Sequence, residues 1–525
     1  MDTIDREERL GRSTSRLRVE SGLGASGLPH IGSVGDAIRS YGVKMALETA
    51  GYKSELIAYS DDFDGLRKVP AGFPAWLKDY IAHPVSRIPD PFECHKSYAD
   101  HVGFLLRESL EKLGLQFTFQ SGADAYKSGL LNDQIRKILL NSKEIGKKIN
   151  ELVGQEKYEG TLPYTPVCAE CHRIYTTRAT SYDKDSDTVH YVCSGTDLGD
   201  KFVAGCGHEG DARITDGDGK LMWKVEFAAR WAAFDIRFEA YGKELTDSVK
   251  INDWVSEHVL GYPPPHHVRY ELFQDKGGKK LSKSAGNLVT PQQWLDFASP
   301  ASLRHLMFKR IVGARSVSID DVPFYMDEVD DLEAYYFSKK KDANPMKDAR
   351  MKGLYEYSLL LEVPKSPGPH VPYRLIADLA RVAPEGSVGE FVVKRLVSYG
   401  MAKEANEPLL QRVGWAAKWA ARTGEEAPRE VEVSAPAAKA LEEFARALPG
   451  AKDGDQIQEA AFQALRKSGL KPGDFFTAVY SILLGSDRGP RLGPYILDAN
   501  PQKVSEKILN ALRKQDRGSQ TRPKA

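Results

Sequence analysis

The sequence contains few cysteines, no long apolar run and no excess of charge of either sign. Five cysteines among 525 residues are too few for a disulfide framework, which excludes a small disulfide-stabilised scaffold. No run of about 18 apolar residues occurs, and the charged segment 1–18 lacks the apolar core of a secretory signal. The 73 basic residues balance the 73 acidic ones, which argues against binding nucleic acid by bulk attraction. We expect a protein of the reducing cytoplasm that has no membrane association.

The order of secondary-structure signals predicts an α/β domain followed by a helical region. A short strand at 16–19 enters a glycine-bearing turn, an amphipathic helix runs to about 49, and a buried strand follows at 54–59. This order is the opening of a doubly wound fold, whose ligands bind beyond the carboxyl ends of the strands. Residues 95–150 carry a helical pattern, and strand signals fade beyond about 320. A chain of this length is expected to form about three domains.

The first motif, GLGASGLPHIGS at 22–33, lies between a predicted strand and a predicted helix. A small-residue turn at a helix N-terminus is a ready site for phosphate. His30 could donate to a phosphate oxygen where charge builds up, and Gly32 would let an adenine ring lie against the backbone. The alternative is an ordinary tight turn in which His30 only caps the helix.

The second motif, KGGKKLSKSAGN at 276–287, contains four lysines within eight residues. Such a cationic loop can close over a triphosphate and neutralise the charge of a phosphoryl transition state. A run of charges is more often a solvated face. The motif follows a predicted strand about 250 residues after the first motif, as a split nucleotide-binding fold requires, and we therefore favour the phosphate-binding interpretation.

Together the two motifs resemble the HIGH and KMSKS signatures of class I aminoacyl-tRNA synthetases. Ser33 stands in place of the final histidine of HIGH, and Leu281 stands in place of the methionine of KMSKS. The resemblance implies a Rossmann catalytic domain that uses ATP with Mg²⁺, with catalytic roles for His30, Lys280 and Lys283. The ATP-binding residues that it implies are Gly27, His30, Gly32, Ser33, Lys280, Ser282 and Lys283.

Other strings in the first 330 residues resemble class I lysyl-tRNA synthetase, the form common in archaea. They are YSDDFD at 59–64, IPDPF at 88–92, WKV at 223–225, ARWA at 229–232, GKE at 242–244 and PPP at 263–265. A lysine ammonium needs carboxylates and an aromatic face, since a buried unpaired charge is costly. The lysine-binding residues that we predict are Gly22, Asp61, Trp231, Glu244 and Tyr270. For the aromatic residues the alternative is ordinary core packing.

Four of the five cysteines fall in one segment, as Cys168, Cys171, Cys193 and Cys206. A CxxC pair followed by two later cysteines is typical of a tetrahedral structural zinc site. Twelve residues separate the last two cysteines, so His172 or His208 could replace one of them, and unliganded thiols are a further alternative. The fifth cysteine, Cys94, stands apart, and we interpret it as a packed or incidental thiol.

The predicted architecture is a Rossmann catalytic domain with an inserted zinc-bearing subdomain, followed by an all-α anticodon-binding domain. The predicted parts are a first Rossmann half at 1–100, the insert at 101–220, the second half at 221–300, a stem-contact linker at 301–345 and the helical domain at 346–525. The resemblance implies an enzyme that activates L-lysine with ATP and transfers it to the 3′ end of tRNA(Lys), and we expect a monomer. The alternatives are a glutamyl- or cysteinyl-type class I synthetase and a synthetase-like RNA-binding protein without catalysis.

Overall fold

The computed structural model describes residues 2–25, 27–274, 289–310, 313, 315–338, 342–423, 433–487 and 489–520. It forms two compact units, Met1–Gln292 with Leu306–Ser318 and Gln293–His305 with Ile319–Ala525. The first unit contains the strands and the second is helical. Among the described residues, no helix combines the length and the apolar character that a membrane-spanning segment needs.

The described strands all begin before residue 317. In chain order they are β1 (Leu17–Leu23), β2 (Ser54–Ser60), β3 (Thr118–Ser121), β4 (Tyr164–Pro166), β5 (Thr177–Asp183), β6 (Thr188–Cys193), β7 (Gly195–Leu198), β8 (Lys201–Ala204), β9 (Glu209–Arg213), β10 (Gly219–Leu221), β11 (Ile236–Gly242), β12 (His266–Tyr270), β13 (Phe273–Gln274) and β14 (Arg315–Ser316).

The α-helices extend over the whole chain. They are α1 (Asp2–Arg9), α2 (Ile31–Thr49), α3 (Tyr98–Lys112), α4 (Gly122–Lys127), α5 (Asn132–Leu140), α6 (Ser142–Val153), α7 (Trp223–Phe234), α8 (Thr246–Trp254), α9 (Pro291–Phe297), α10 (Pro300–Phe308), α11 (Val322–Phe337), α12 (Pro345–Ser358), α13 (Tyr373–Val382), α14 (Val388–Ser398), α15 (Glu407–Thr423), α16 (Ala435–Ala447), α17 (Gly454–Ser468), α18 (Pro472–Leu483), α19 (Leu492–Asp498) and α20 (Pro501–Gln520).

A five-stranded parallel sheet organises the first unit, with the strand order β12-β11-β1-β2-β3. From β1 the chain builds outward through β2 to β3 at one edge of the sheet, and it then returns to add β11 and β12 on the other side of β1. This is the doubly wound order, whose ligands bind at the carboxyl ends of the strands where the order reverses. The reversal lies between β1 and β11, and the predicted α/β fold with a parallel sheet is confirmed.

Helix α2 packs on this sheet as its sequence predicts. Val34, Ala37, Ile38, Tyr41 and Met45, the apolar residues at helical spacing in the predicted amphipathic helix, are buried. The face opposite to these residues begins at the N-terminus of the helix and carries polar side chains.

The segment between β3 and α7 contains small antiparallel sheets. Strands β5, β6 and β9 form one sheet, β7 pairs with β8, and β4 pairs with β10. Strand β3 pairs with β2 in the main sheet, although its residues lie within the range 101–220 predicted for the insert. The insert boundary at residue 101 stays a prediction.

The second unit is helical, and from Ile319 onward the described residues contain no strand. The predicted helical character of the C-terminal region is confirmed. Trp419, in α15, is fully buried against Tyr373, and its indole nitrogen donates to the Ile319 carbonyl oxygen at 2.9 Å. This tryptophan is therefore part of a helix-bundle core.

Candidate active site

A cavity of about 190 Å³ lies beyond the carboxyl ends of β1, β11 and β12. Six residues predicted from the sequence line it: Gly22, His30, Gly32, Ser33, Glu244 and Tyr270. The other lining residues are Gly24, Asp36, Arg39, Glu271, Leu272 and Phe273. The cavity thus brings a helix N-terminus together with acidic, basic and aromatic side chains. Such a set can bind a ligand that carries both signs of charge.

His30 is the N-cap of α2, and its ring has a defined orientation. Its Nδ1 accepts a hydrogen bond from the Ser33 amide at 3.2 Å, and the Ser33 hydroxyl accepts one from the His30 amide at 3.3 Å. With Nδ1 as acceptor, the neutral ring carries its proton on Nε2, which is then a donor. A Cβ at Gly32 would lie 2.8 Å from His30 Cε1 and Nδ1, so the close approach of the ring requires glycine there. His30 can therefore cap α2 through Nδ1 and at the same time donate a hydrogen bond to a ligand through Nε2.

Asp36 and Arg39 follow His30 along α2 and reach Tyr270, the last residue of β12. The Tyr270 hydroxyl donates to the Asp36 carboxylate, and the Arg39 guanidinium carbon lies 4.2 Å from the centroid of the Tyr270 ring. Burial raises the pKa of Asp36 to about 7, against the opposing effect of Tyr270 and Arg39. Burial also lowers the pKa of Arg39. Within the described part of the chain, Arg39 Nε and Nη2 have no hydrogen-bond partner.

A second buried arginine, Arg230 in α7, lies among three carboxylates. Its Nε donates to Glu20 at 2.8 Å and its Nη1 donates to Asp61 at 3.2 Å. A Glu239 oxygen lies 3.7 Å from Nη2. Burial, opposed by Arg230 and reinforced by Glu239, raises the pKa of Glu20 to about 7, and burial raises the pKa of Asp61 as well. One guanidinium cannot neutralise three carboxylates, so the cluster has an excess of acid.

This acidic cluster lies directly behind the wall of the cavity. A Cβ at Gly22 would lie 3.8 Å from Arg230 Nη2 and 4.0 Å from Asp61 Oδ2. Gly22 itself lines the cavity. Asp61 is therefore close to the cavity, although it is not one of the lining residues.

The remaining predicted residues do not line the cavity or are not described. Gly27 is buried in the turn before α2. Trp231 is fully buried in α7, and its indole nitrogen donates to Glu239 Oε2 at 2.5 Å. Lys280, Ser282 and Lys283 lie outside the described residues. The ATP- and lysine-binding roles of all these residues stay predictions.

Sequence reasoning missed Asp36, Arg39 and Arg230. A signal for the first two was present: positions 33, 36 and 39 recur every three residues, so each side chain is a neighbour of the next along α2. This series begins three residues after the motif histidine. Arg230 carried no such signal, because its partners come from β1, from the end of β2 and from β11, which are distant in sequence.

The four clustered cysteines converge in space. Cys168 Sγ lies 3.6 Å from Cys206 Sγ, and Cys171 Sγ lies 3.7 Å from Cys193 Sγ. All four sulfur atoms lie within 4.8 Å of one another. A tetrahedral zinc with Zn–S bonds of about 2.3 Å separates its sulfur ligands by about 3.8 Å, so the residues present fit this ion. The group contains neither of the two histidines considered from the sequence.

The comparisons with known proteins agree with this geometry. Residues 2–360 match the family model described as tRNA synthetases class I (K). The lysine–tRNA ligase of Cenarchaeum symbiosum (strain A) is 48% identical over 511 residues, which cover 97% of each chain. The lysine–tRNA ligase of Natronomonas pharaonis is 31% identical over 519 residues, which cover 94% of this chain and 93% of that one.

A solved glutamate tRNA ligase from Elizabethkingia meningosepticum aligns with 95% of this chain and 99% of its own. Its 12% identity and TM-score of 0.33 are too low to bear on the assignment. The family model and the near-full-length relatives decide the family assignment, and they confirm the resemblance found in the sequence. This chain belongs to the class I tRNA synthetases of the lysine (K) family.

Proposed function

We propose that this chain is a lysine–tRNA ligase. It joins the carboxylate of L-lysine to the α-phosphate of ATP, which releases pyrophosphate, and then transfers the lysyl group to the 3′ end of tRNA(Lys). The observation that carries this proposal is a cavity at the switch point of the sheet that combines His30 at a helix N-terminus with an acidic wall. The near-full-length similarity to lysine–tRNA ligases supports the same activity.

His30 stabilises the charge that develops on the phosphate oxygens during adenylate formation. The bond between the α-phosphorus and the bridging oxygen breaks as the lysine carboxylate attacks, so negative charge grows on the departing pyrophosphate. A donor at Nε2 is favourable where that charge develops. No general base is needed, because the attacking carboxylate is already ionised.

Lys280 and Lys283 complete the neutralisation from the second motif, and Ser282 with Gly27, Gly32 and Ser33 bind ATP. These roles rest on the sequence resemblance. Mg²⁺ enters with the phosphates of ATP, and we assign it no protein ligand. Phosphoryl displacement depends mainly on positioning and charge, so lysines in a glycine-containing loop suit this role.

The main-chain groups of lysine bind near Gly22 and its side chain binds near Tyr270, with Asp61 and Glu244 as acidic partners. The excess of carboxyl groups around Arg230 supports this placement, because their pKa values are raised and an ammonium group that approaches Gly22 would stabilise the ionised forms of Glu20 and Asp61. Trp231 would then act from behind this wall, through its hydrogen bond to Glu239.

The other parts of the chain have supporting roles. Zinc held by Cys168, Cys171, Cys193 and Cys206 stabilises the inserted subdomain, since four protein ligands make a closed structural site. The helical domain at 346–525 reads the anticodon, and the linker at 301–345 contacts the tRNA stem. We propose a cytoplasmic monomer.

Amino-acid-dependent ATP–pyrophosphate exchange in the presence of tRNA tests the activity. We expect exchange with lysine and none with glutamate or cysteine. Exchange with either of those amino acids but not with lysine would point to the alternative synthetase types. Absence of exchange together with retained tRNA binding would favour the non-catalytic RNA-binding protein.

His30→Ala and Lys283→Ala test the proposed catalytic groups. Loss of one preorganised donor lowers kcat by about 10²–10³ in comparable sites, and we expect effects of that size. His258→Ala and Lys137→Ala are matched controls, because both side chains are exposed and neither lines the cavity. Unchanged charging of tRNA by the two catalytic-site variants would refute the roles.

A further inference from the structure

Arg39, in α2, is a buried cation of the cavity whose hydrogen-bonding capacity the protein does not use. The residue is 6% exposed and lines the cavity. Its guanidinium nitrogens Nε and Nη2 have no hydrogen-bond partner in the described part of the chain. Buried polar groups are nearly always paired, because an unsatisfied donor is costly. The position of this guanidinium therefore calls for a functional explanation.

Two aromatic rings of the cavity wall hold the guanidinium from its face. The guanidinium carbon lies 4.2 Å from the centroid of the Tyr270 ring and 5.9 Å from the centroid of the Phe273 ring. Stacking on an aromatic ring uses the face of the group, whereas its N–H donors lie in its plane. The rings thus fix the orientation of the guanidinium and leave the donors for another partner.

Gly35 provides the space in which the guanidinium lies. Side chains of a helix lean toward its N-terminus, and Gly35 lies one turn before Arg39 in that direction. A Cβ at Gly35 would lie 2.8 Å from Arg39 Nη1 and 3.7 Å from Arg39 Cζ. Glycine at this position therefore allows the guanidinium to reach toward the end of α2 that His30 caps.

Asp36 is the carboxyl group that acts on the charge of Arg39, but it neutralises that charge incompletely. The carboxyl group accepts a hydrogen bond from the Tyr270 hydroxyl. Burial raises its pKa to about 7, and the nearby Glu244 carboxylate adds to that rise. Near neutral pH Asp36 is therefore partly protonated, and a positive charge remains on this side of the cavity.

Two features that favour an anion thus belong to the same helix. The N-terminus of α2 presents backbone amides and a partial positive charge. The Arg39 guanidinium adds a full charge and a planar set of donors that matches the geometry of carboxylate and phosphate. Adenylate formation brings these two anionic groups together, since the carboxylate of lysine attacks the α-phosphate of ATP.

We propose that Arg39 is a further substrate-binding residue, whose guanidinium donates hydrogen bonds to anionic oxygens of a substrate in the cavity. The inference rests on the proposed function, which supplies two such groups, the phosphates of ATP and the carboxylate of lysine. Gly35 has a supporting role, because it leaves the guanidinium room to reach the ligand.

Gly35→Ala tests the proposal without a change of charge. The added methyl group displaces the guanidinium, while the Met307 sulfur, 3.2 Å from the added Cβ, belongs to a flexible side chain that can adjust. Alanine is a good helix former, so α2 should persist. We expect the KM of ATP or of lysine to rise about tenfold in ATP–pyrophosphate exchange, the size expected for a lost charge-assisted hydrogen bond. Gly414→Ala in α15 is the control, because a Cβ there meets nothing within 4 Å, and its KM values should not change.

Substrate fragments identify the anionic group. Calorimetric titration of the full chain and of Arg39→Ala measures the dissociation constants of ATP, adenosine, lysine and lysinamide, each added alone. If Arg39 binds phosphate, Arg39→Ala weakens ATP about tenfold and leaves adenosine unchanged. If it binds the carboxylate, the variant weakens lysine by that factor and leaves lysinamide unchanged. Arg39→Lys should recover part of either loss, since it keeps the charge without the planar donors.

Two results would overturn the proposal. One is unchanged affinity of Arg39→Ala for all four ligands, and the other is an equal loss for both members of each pair, which would indicate a merely structural role. If Arg39→Ala does not fold, the KM values of Gly35→Ala decide alone, and values equal to those of the wild type count against the proposal. In each of these cases the wild type still exchanges pyrophosphate with lysine, whereas failure of the proposed function would abolish that exchange.

Discussion

Two buried arginines near the cavity, Arg230 and Arg39, have opposite electrostatic environments. Arg230 is 1% exposed, is hydrogen-bonded to Glu20 and Asp61, and has a third carboxylate nearby. Arg39 is 6% exposed, and its main contact is the face of Tyr270. The first cation is surrounded by more carboxyl groups than it can keep ionised, and the pKa values of Glu20 and Asp61 are raised accordingly. The second has donors without partners in the described chain.

The difference indicates what each side of the cavity can bind. An excess of carboxylate favours an arriving cation, such as the ammonium of lysine. An arginine with unsatisfied donors favours an arriving anion, such as a phosphate or a substrate carboxylate. The same residue type therefore has a structural role at position 230 and is suited to a ligand-binding role at position 39. The experiments below test this contrast.

Arg230→Met should have the largest effect. It leaves Glu20, Asp61 and Glu239 without their shared cation, and removal of one partner from a buried ion pair costs about 3–5 kcal/mol. Urea unfolding measures the loss. Arg230→Lys should recover part of it, since it restores the charge without the planar hydrogen bonds. A loss below about 1 kcal/mol would contradict the picture of Arg230 as the essential cation.

Asp36→Asn should change how stability depends on pH. The folded chain keeps the Asp36 proton up to a pKa of about 7, whereas the unfolded chain releases it near pH 4. The wild type therefore loses stability as pH rises through this window. Asparagine cannot titrate, so the variant should lose less, by up to about 4 kcal/mol. Denaturant unfolding from pH 4 to pH 8 measures both curves, and parallel curves would contradict the raised pKa.

Arg39→Met should have a smaller effect on stability and the opposite sign to Arg230→Met. Replacing a buried cation, two of whose guanidinium nitrogens have no hydrogen-bond partner in the described chain, with an apolar side chain should leave the free energy of unfolding unchanged or raise it slightly. If Arg39 meets an anionic part of a substrate, KM should rise about tenfold or more, because a charge-assisted hydrogen bond contributes about 1.5–3 kcal/mol. Denaturant unfolding measures the free energy of unfolding, and steady-state ATP–pyrophosphate exchange measures KM. A loss of stability with unchanged KM would reverse the assignment.

Tyr270→Phe should have the smallest effect. The ring that lies under Arg39 is retained, and only the hydroxyl that donates to Asp36 is lost. We expect about 1 kcal/mol of destabilisation at neutral pH, and a pKa of Asp36 raised further because one hydrogen bond that lowers it is gone. NMR titration of Asp36 in the variant and the wild type checks this, and a lower pKa in the variant would count against it.

The features that could be predicted from the sequence are those that depend on the spacing of residues along a short segment. The amphipathic face of α2 and the convergence of the four cysteines follow from spacing along the chain, and the cap at His30 is the alternative considered for the first motif. Strand β3 was missed in a segment with a helical pattern. It has only four residues, none of them buried, so it leaves no alternating pattern.

The pairing of charged residues that are distant in sequence could not be predicted from local patterns. Glu20, Asp61, Arg230 and Glu239 come from four elements, and only the strand order brings them together.

The strand order also determines when each pair of neighbouring strands can form during synthesis of the chain. Strand β1 pairs with β2 soon after both are made, but its other neighbour, β11, lies about 210 residues further along the chain. At about 5–20 residues per second, one edge of the central strand waits roughly 10–40 s for its partner on the ribosome. An open strand edge can pair with other chains during that time. The cavity, which needs residues from both halves of the sheet, is therefore among the last parts of the first unit to form.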